Sequence, residues 1–250
     1  MMKKIIKISV LVLFVILVIN GCKKGDNSPS NPYNGKTTAV FNTGLTYGTM
    51  TDQDGNIYKT ITIGTQTWMA ENLRTTKYSD STEIPNVTDN TAWEALTTGA
   101  YCNYNNTTSA DTIATYGRLY NWYAATDSRN IAPAGWHVPT DAEWTTLTTY
   151  LGGESVAGGK MKETGITHWI SPNTGATNES GFSALPSGTR NWYDDFDFFI
   201  YLGVSTNFWS TTAYMAPYSY SCFLVYCVAD AYCYSFDNKL YGYAVRLIKD

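Results

Sequence analysis

A chain of 250 residues suffices for one large domain or two small ones, and a hydrophobic fraction of 44% lets it bury a core. Only 15% of its residues are charged, against about 25% in an average domain, while 20 Tyr and 8 Trp make it rich in rings. The balance excludes a disordered chain, and a net charge of −4 argues against nucleic acid, whose phosphates call for basic patches.

The chain opens with Lys3, Lys4 and Lys7, an apolar run, and "INGC" from Ile19 to Cys22. A basic start, a short apolar core and small residues before a processing site describe a secretory signal over residues 1–21. With Cys22 directly after Gly21, it resembles a bacterial lipoprotein signal. That resemblance implies a diacylglycerol on the Cys22 sulfur and a membrane partner reached through the lipid. The alternative is a transmembrane anchor, but an apolar run of about 15 residues is short for a span of about 20. Either reading puts the remaining chain outside the cytoplasm. Loss of residues 1–21 removes three lysines and no acid, so the charge goes from −4 to −7.

Residues 22–50 are polar and rich in Gly, Pro, Ser and Asn, as a flexible tether would be. The domain is expected over residues 51–250. Asp54-Gly55 signals a turn, and "IYKTITI" alternates as a half-buried strand does. Gly64 turns the chain into a second strand, "QTWMAENL". Residues 75–115 show little periodicity. "YGRLYNWYAA" places Leu119, Trp122 and Tyr123 at helical spacing, which predicts a helix. A second helix is predicted in "PTDAEWTTLTTYLGG", ended by Gly152-Gly153.

The stretch before that second helix, "GWHVPTDAEW", concentrates His137, Asp141 and Glu143. Thr140 stands three residues before Glu143, the spacing of a capping box, and Asp141 suits the positive end of the helix dipole. These three residues are therefore expected to serve structure rather than metal binding or catalysis. From Gly181 onward the chain reads as strands: "GFSALPSGTR", "NFWSTT", "SYSCFLVYCV", "AYCYSF" and "YAVRLIKD". The plan is α+β with antiparallel sheets.

With Cys22 used by the lipid, Cys102, Cys222, Cys227 and Cys233 remain. Their spacing matches no zinc pattern, and an oxidising compartment allows pairing. A three-residue hairpin tip at Ala229-Asp230-Ala231 would set Cys227 opposite Cys233, so a Cys227–Cys233 disulfide is expected. "NWYDDFDFF" is the densest acidic and aromatic cluster. It admits a surface loop, calcium ligation by Asp194, Asp195 and Asp197, or a ligand site in which Trp192 and Tyr193 stack on sugar beside those acids. As a binding module the chain is expected to need no cofactor, unless calcium sits at this cluster.

Seven blocks in order, from "DQDGNIYKTITIGTQTWMAENL" through "YGRLYNWYAA", "PAGWHVPTDAEWTTLTTYLGG", "AGGKMKETG", "GFSALPSGTR" and "FWSTT" to "YAVRLIKD", resemble the Fibrobacter succinogenes major paralogous domain. This family of surface and secreted proteins is common in Bacteroidetes, and the resemblance covers about residues 52–250. This chain has Ala132 and Leu247 where members often carry cysteine, so the disulfide the family suggests does not carry over. "GWHVPTDAEW" and "GYAVRLIKD" are similar to blocks of formylglycine-generating enzymes, which implies a C-type-lectin-like fold with two helices, small sheets and long irregular loops. "KKGDN" after Cys22 is similar to signals that send Bacteroidetes lipoproteins to the cell surface. The resemblances together imply an outer-membrane or surface lipoprotein that contacts extracellular glycan or protein. The alternative is an extracellular enzyme, degrading glycan with a carboxylate pair or oxidising with copper at Cys222 and Cys227.

Overall fold

The computed structural model describes residues 31–191 and 198–250, apart from the side chains of Tyr234 and Ser235. Asn31–Asp250 is one compact unit. In chain order its elements are β1 (Gly48–Thr51), β2 (Ile57–Ile63), β3 (Gln66–Met69), α1 (Asn90–Glu94), β4 (Tyr101–Cys102), α2 (Ala110–Tyr116), β5 (Leu119–Tyr120), α3 (Trp122–Ala125), β6 (Trp136–His137), α4 (Asp141–Tyr150), α5 (Glu154–Met161), β7 (Ser187–Arg190), β8 (Phe199–Leu202), β9 (Ser205–Ala213), β10 (Tyr218–Val225), β11 (Tyr232–Asn238) and β12 (Ile248–Lys249). A single 3-10 turn, Tyr104–Asn106, precedes α2.

One sheet runs β1-β2-β3-β12-β6 and the other β11-β10-β9-β7-β8, with β4 and β5 as a separate pair. Pairing is antiparallel except between β7 and β9. The chain is thus α+β, mostly sheet. The alternating run "IYKTITI" is β2. α4 begins at the predicted capping box: Thr140 Oγ1 accepts from Glu143 N, and Glu143 Oε2 accepts from Thr140 N at 2.7 Å.

The helix expected over 116–125 is largely not there. Leu119 and Tyr120 form β5, paired with Cys102 and Tyr101, and only Trp122–Ala125 is helical. Asn121 decides this, because its side chain caps Ala124 N and so starts the helix three residues after Leu119. The segment expected as tether also differs from Asn31 on. Asn31 Nδ2 donates to Asn56 Oδ1 at 2.9 Å, Asn42 Nδ2 to the Asn178 carbonyl at 3.0 Å, and β1 already pairs with β2 from Gly48.

The largest core cluster joins both sheets to α4 and α5. Trp68, Trp144, Phe182 and Phe208 are fully buried there, Trp144 lying 4.7 Å from Trp68 and stacked on Phe208 at 5.7 Å. Arg246 runs through this layer. Its guanidinium donates to Asn72 Oδ1 and to the carbonyls of Met69, Phe182 and Ser183, and sits 4.7 Å from the Phe182 ring. A buried cation is tolerable only when satisfied in this way. Ala132 and Leu247 are buried in the second cluster.

Candidate functional site

The two imidazoles of the chain have different surroundings. β6 pairs with β12 and so brings His137 beside Asp250. Nδ1 of His137 lies 2.6 Å from Asp250 Oδ1, and Nε2 lies 2.8 Å from Glu143 Oε1. Two carboxylates on two ring nitrogens call for an imidazolium. Burial alone would lower the His137 pKa, but the hydrogen bonds to Asp250 and Glu143 outweigh it and hold the ring above its ordinary 6.5. Burial would likewise raise Glu143, yet hydrogen bonds from Thr140 and His137 bring it below its ordinary value. Asp141 is raised by burial. The imidazole fills the space between Glu143 and Asp250, so this carboxylate pair leaves no room for a glycosidic bond.

His168 is more deeply set. Its Nδ1 lies 2.7 Å from the buried Glu163 Oε2, and its Nε2 lies 2.9 Å from Thr38 Oγ1. The order hydroxyl, imidazole, carboxylate is that of a nucleophile triad. Here, however, Thr38 N and Oγ1 both bind Thr115 Oγ1, at 3.1 and 3.0 Å, and the other Glu163 oxygen accepts from Val40 N. The amide that could help form an oxyanion site is spent. The set fastens the segment before β1 to the domain.

The expected Cys227–Cys233 disulfide is replaced by Cys222–Cys233, and Cys227 is free and exposed. Two features cause the change. A register shift between Ser221 and Phe223 puts Cys222 across from Cys233. The β10–β11 connection is also longer than a three-residue tip, running from Tyr226 to Ala231. It is held by Lys162 Nζ on the Val225 and Val228 carbonyls and by Gly159 N on the Ala229 carbonyl. Gly158 must lack a side chain, since a Cβ would fall 2.0 Å from the Asp230 carbonyl oxygen. With Cys222 bonded, Cys222 and Cys227 do not stand as a pair of thiols for copper. Cys102 is free and buried, its thiol pushed up to about 11 by burial.

Trp192, Tyr193, Asp194, Asp195 and Asp197 lie outside the described residues, as does Cys22. Among the described residues no group of three or more His, Cys, Asp or Glu stands together as metal ligands, and no helix is long and apolar enough to cross a membrane.

The sequence reading missed an aromatic face on the second sheet. Tyr220 of β10 stands opposite Phe236 of β11 on the side away from the core. Tyr214, just after β9, stacks on Phe236 at 4.2 Å and meets Tyr220 edge-on at 5.6 Å. Tyr218 and Met215 adjoin them. Phe236 is 50% exposed, Met215 62%, and Tyr214 and Tyr218 41% each. Farther along the same strands Phe223 and Tyr232 pair and stack at 6.1 Å. The alternation "YSYS" at 218–221 was the available signal, since both small serines are buried and both tyrosines are turned outward. Exposed rings grouped in this way make the face a candidate contact surface.

The model of the Fibrobacter succinogenes major domain matches residues 61–249, which runs from the end of β2 through β12 and takes in α4, α5 and the aromatic face but not β1. Comparison with curated proteins and with solved structures returned no match.

Proposed function

Because the chain belongs to the Fibrobacter succinogenes major domain family, we propose that it is a cell-envelope lipoprotein whose domain binds extracellular glycan. On this reading Cys22 carries the lipid, the outer membrane or cell surface is the location, and the domain works by binding rather than by catalysis. The C-type-lectin-like kinship proposed for the fold accords with β12 closing onto the sheet that begins at β1. The observation that carries the reading is the face of Tyr214, Tyr218, Tyr220 and Phe236. Its rings offer flat apolar area at low entropic cost, and three of the four add a phenol to hydrogen-bond hydroxyls.

A protein partner is the second reading, favoured by β11 being the edge of its sheet and so open to strand addition. The test is retention of the detergent-solubilised chain on a glycan array and on insoluble polysaccharides, with calcium and with chelator. Specific retention lost in Phe236→Ala and Tyr214→Ala supports glycan binding through this face. Loss on chelation as well brings in the acids at 194, 195 and 197. Silence throughout removes the glycan reading and leaves the protein one. Radiolabelled palmitate incorporated by the wild type but not by Cys22→Ala checks the anchor.

A further inference from the structure

A second surface, built from other elements, has the shape of a site. β2, the Gly64 turn, the end of α4 and the start of the loop after Glu179 enclose a cleft of about 410 Å3, within the range of about 300–1,000 Å3 usual for small ligands. Its apolar lining includes Ile61, Ile63 and the exposed Leu45. One wall is the Tyr150 ring. Gly64, with φ +62°, has no side chain, and a Cβ there would fall 2.8–3.0 Å from three atoms of that ring. The ring therefore lies against the backbone at Gly64, while the residue remains 65% exposed. The lining also carries Lys160 and Glu179, paired at 3.0 Å. Glu179 is held in place through its neighbour, because Ser180 Oγ donates to the Lys160 carbonyl at 2.8 Å and accepts from Phe182 N at 3.1 Å.

These features select a ligand chemistry. The paired charges cancel, so a charged ligand gains little from them. A purely apolar ligand would strip water from the ion pair and return no hydrogen bonds. A ligand suits both sides if it turns C–H groups to the ring and hydroxyls, which donate and accept, to the carboxylate and ammonium. We infer that the Tyr150 cleft is a binding site for a single neutral pyranose, with Tyr150 stacking on the sugar and Lys160 and Glu179 taking its hydroxyls. The choice of sugar rests on the glycan reading above, but the residues are different ones.

The test is saturation-transfer NMR on the full chain in detergent, with methyl glycosides of glucose, galactose and mannose as probes. At least one should give ring-proton transfer in the wild type. Tyr150→Phe should keep it, since the ring remains. Tyr150→Ala should reduce it at least tenfold, and Lys160→Gln and Glu179→Gln should each weaken it several-fold. Tyr150 is exposed, so its loss leaves folding intact, which circular dichroism checks. Phe236→Ala should leave the signal unchanged. The inference is overturned if no probe binds, if Tyr150→Ala binds as well as wild type, or if Phe236→Ala alone removes the signal. That last result would leave the sheet face as the sugar site, whereas a wild type that binds a monosaccharide but retains no polysaccharide would remove the face and keep the cleft.

Discussion

Trp144 and Phe236 are large rings on elements packed against the same strands, yet one is sealed from water and the other half exposed. Trp144 sits among Trp68, Phe182 and Phe208, with ring neighbours on three sides. Phe236 has Tyr214 stacked on it and Tyr220 at its edge, all on the outward side of β10 and β11. The same residue class thus builds the core and a surface. What separates them is the side of the strand on which they fall.

The sharpest way to break this comparison is to truncate one member of each cluster. Trp144→Ala should destabilise the chain by about 3–5 kcal/mol, seen as a lower urea midpoint, because the packed cluster cannot close over so large a void. Removing the helix start is a milder insult to the same core. Thr140→Ala should cost about 1 kcal/mol through the lost cap on α4. Phe236→Ala should change stability by only about 0.5 kcal/mol while abolishing polysaccharide retention. A large loss of stability in Phe236→Ala would make the outer rings part of the core and end their claim as a binding face.

The smallest effect concerns how β12 is fastened at the core's rim. The raised His137 pKa means that its pairing with Asp250 adds stability fully below about pH 6.5 and loses it as pH rises through the folded-state value. The urea-midpoint difference between wild type and Asp250→Asn should therefore be largest near pH 6 and shrink above it. Glu143, lowered in the fold, acts in the opposite sense and withdraws its contribution as pH falls through its own depressed value. A difference that grows from pH 6 to 9 would show that Asp250 acts otherwise than through the imidazolium.

Much of the scaffold was legible because its signals are local. Alternation over Ile57–Ile63 makes β2, the Thr140–Glu143 spacing makes the α4 cap, and the strand runs after Gly181 appear as β7, β9, β10 and β11. The ordered blocks of the sequence also pointed to the family that residues 61–249 match. Where a local signal competed with a stronger one it misled, as when Asn121 capped a short helix and left Leu119 to a strand.

The features that bear on binding were decided in three dimensions. A register shift and a longer β10–β11 connection chose Cys222 over Cys227 as the partner of Cys233. His137 meets Asp250 across 113 positions only because β6 and β12 are neighbours, and Tyr150 lies on Gly64 only because α4 ends beside the β2 turn. Sequence by itself determined β2, the start of α4 and the strand-rich C-terminal part, since turns, caps and alternation act within a few residues. Which rings face water, which thiols meet and which side chains share a cleft depend on strand register and packing between distant elements, and only the tertiary structure decided them.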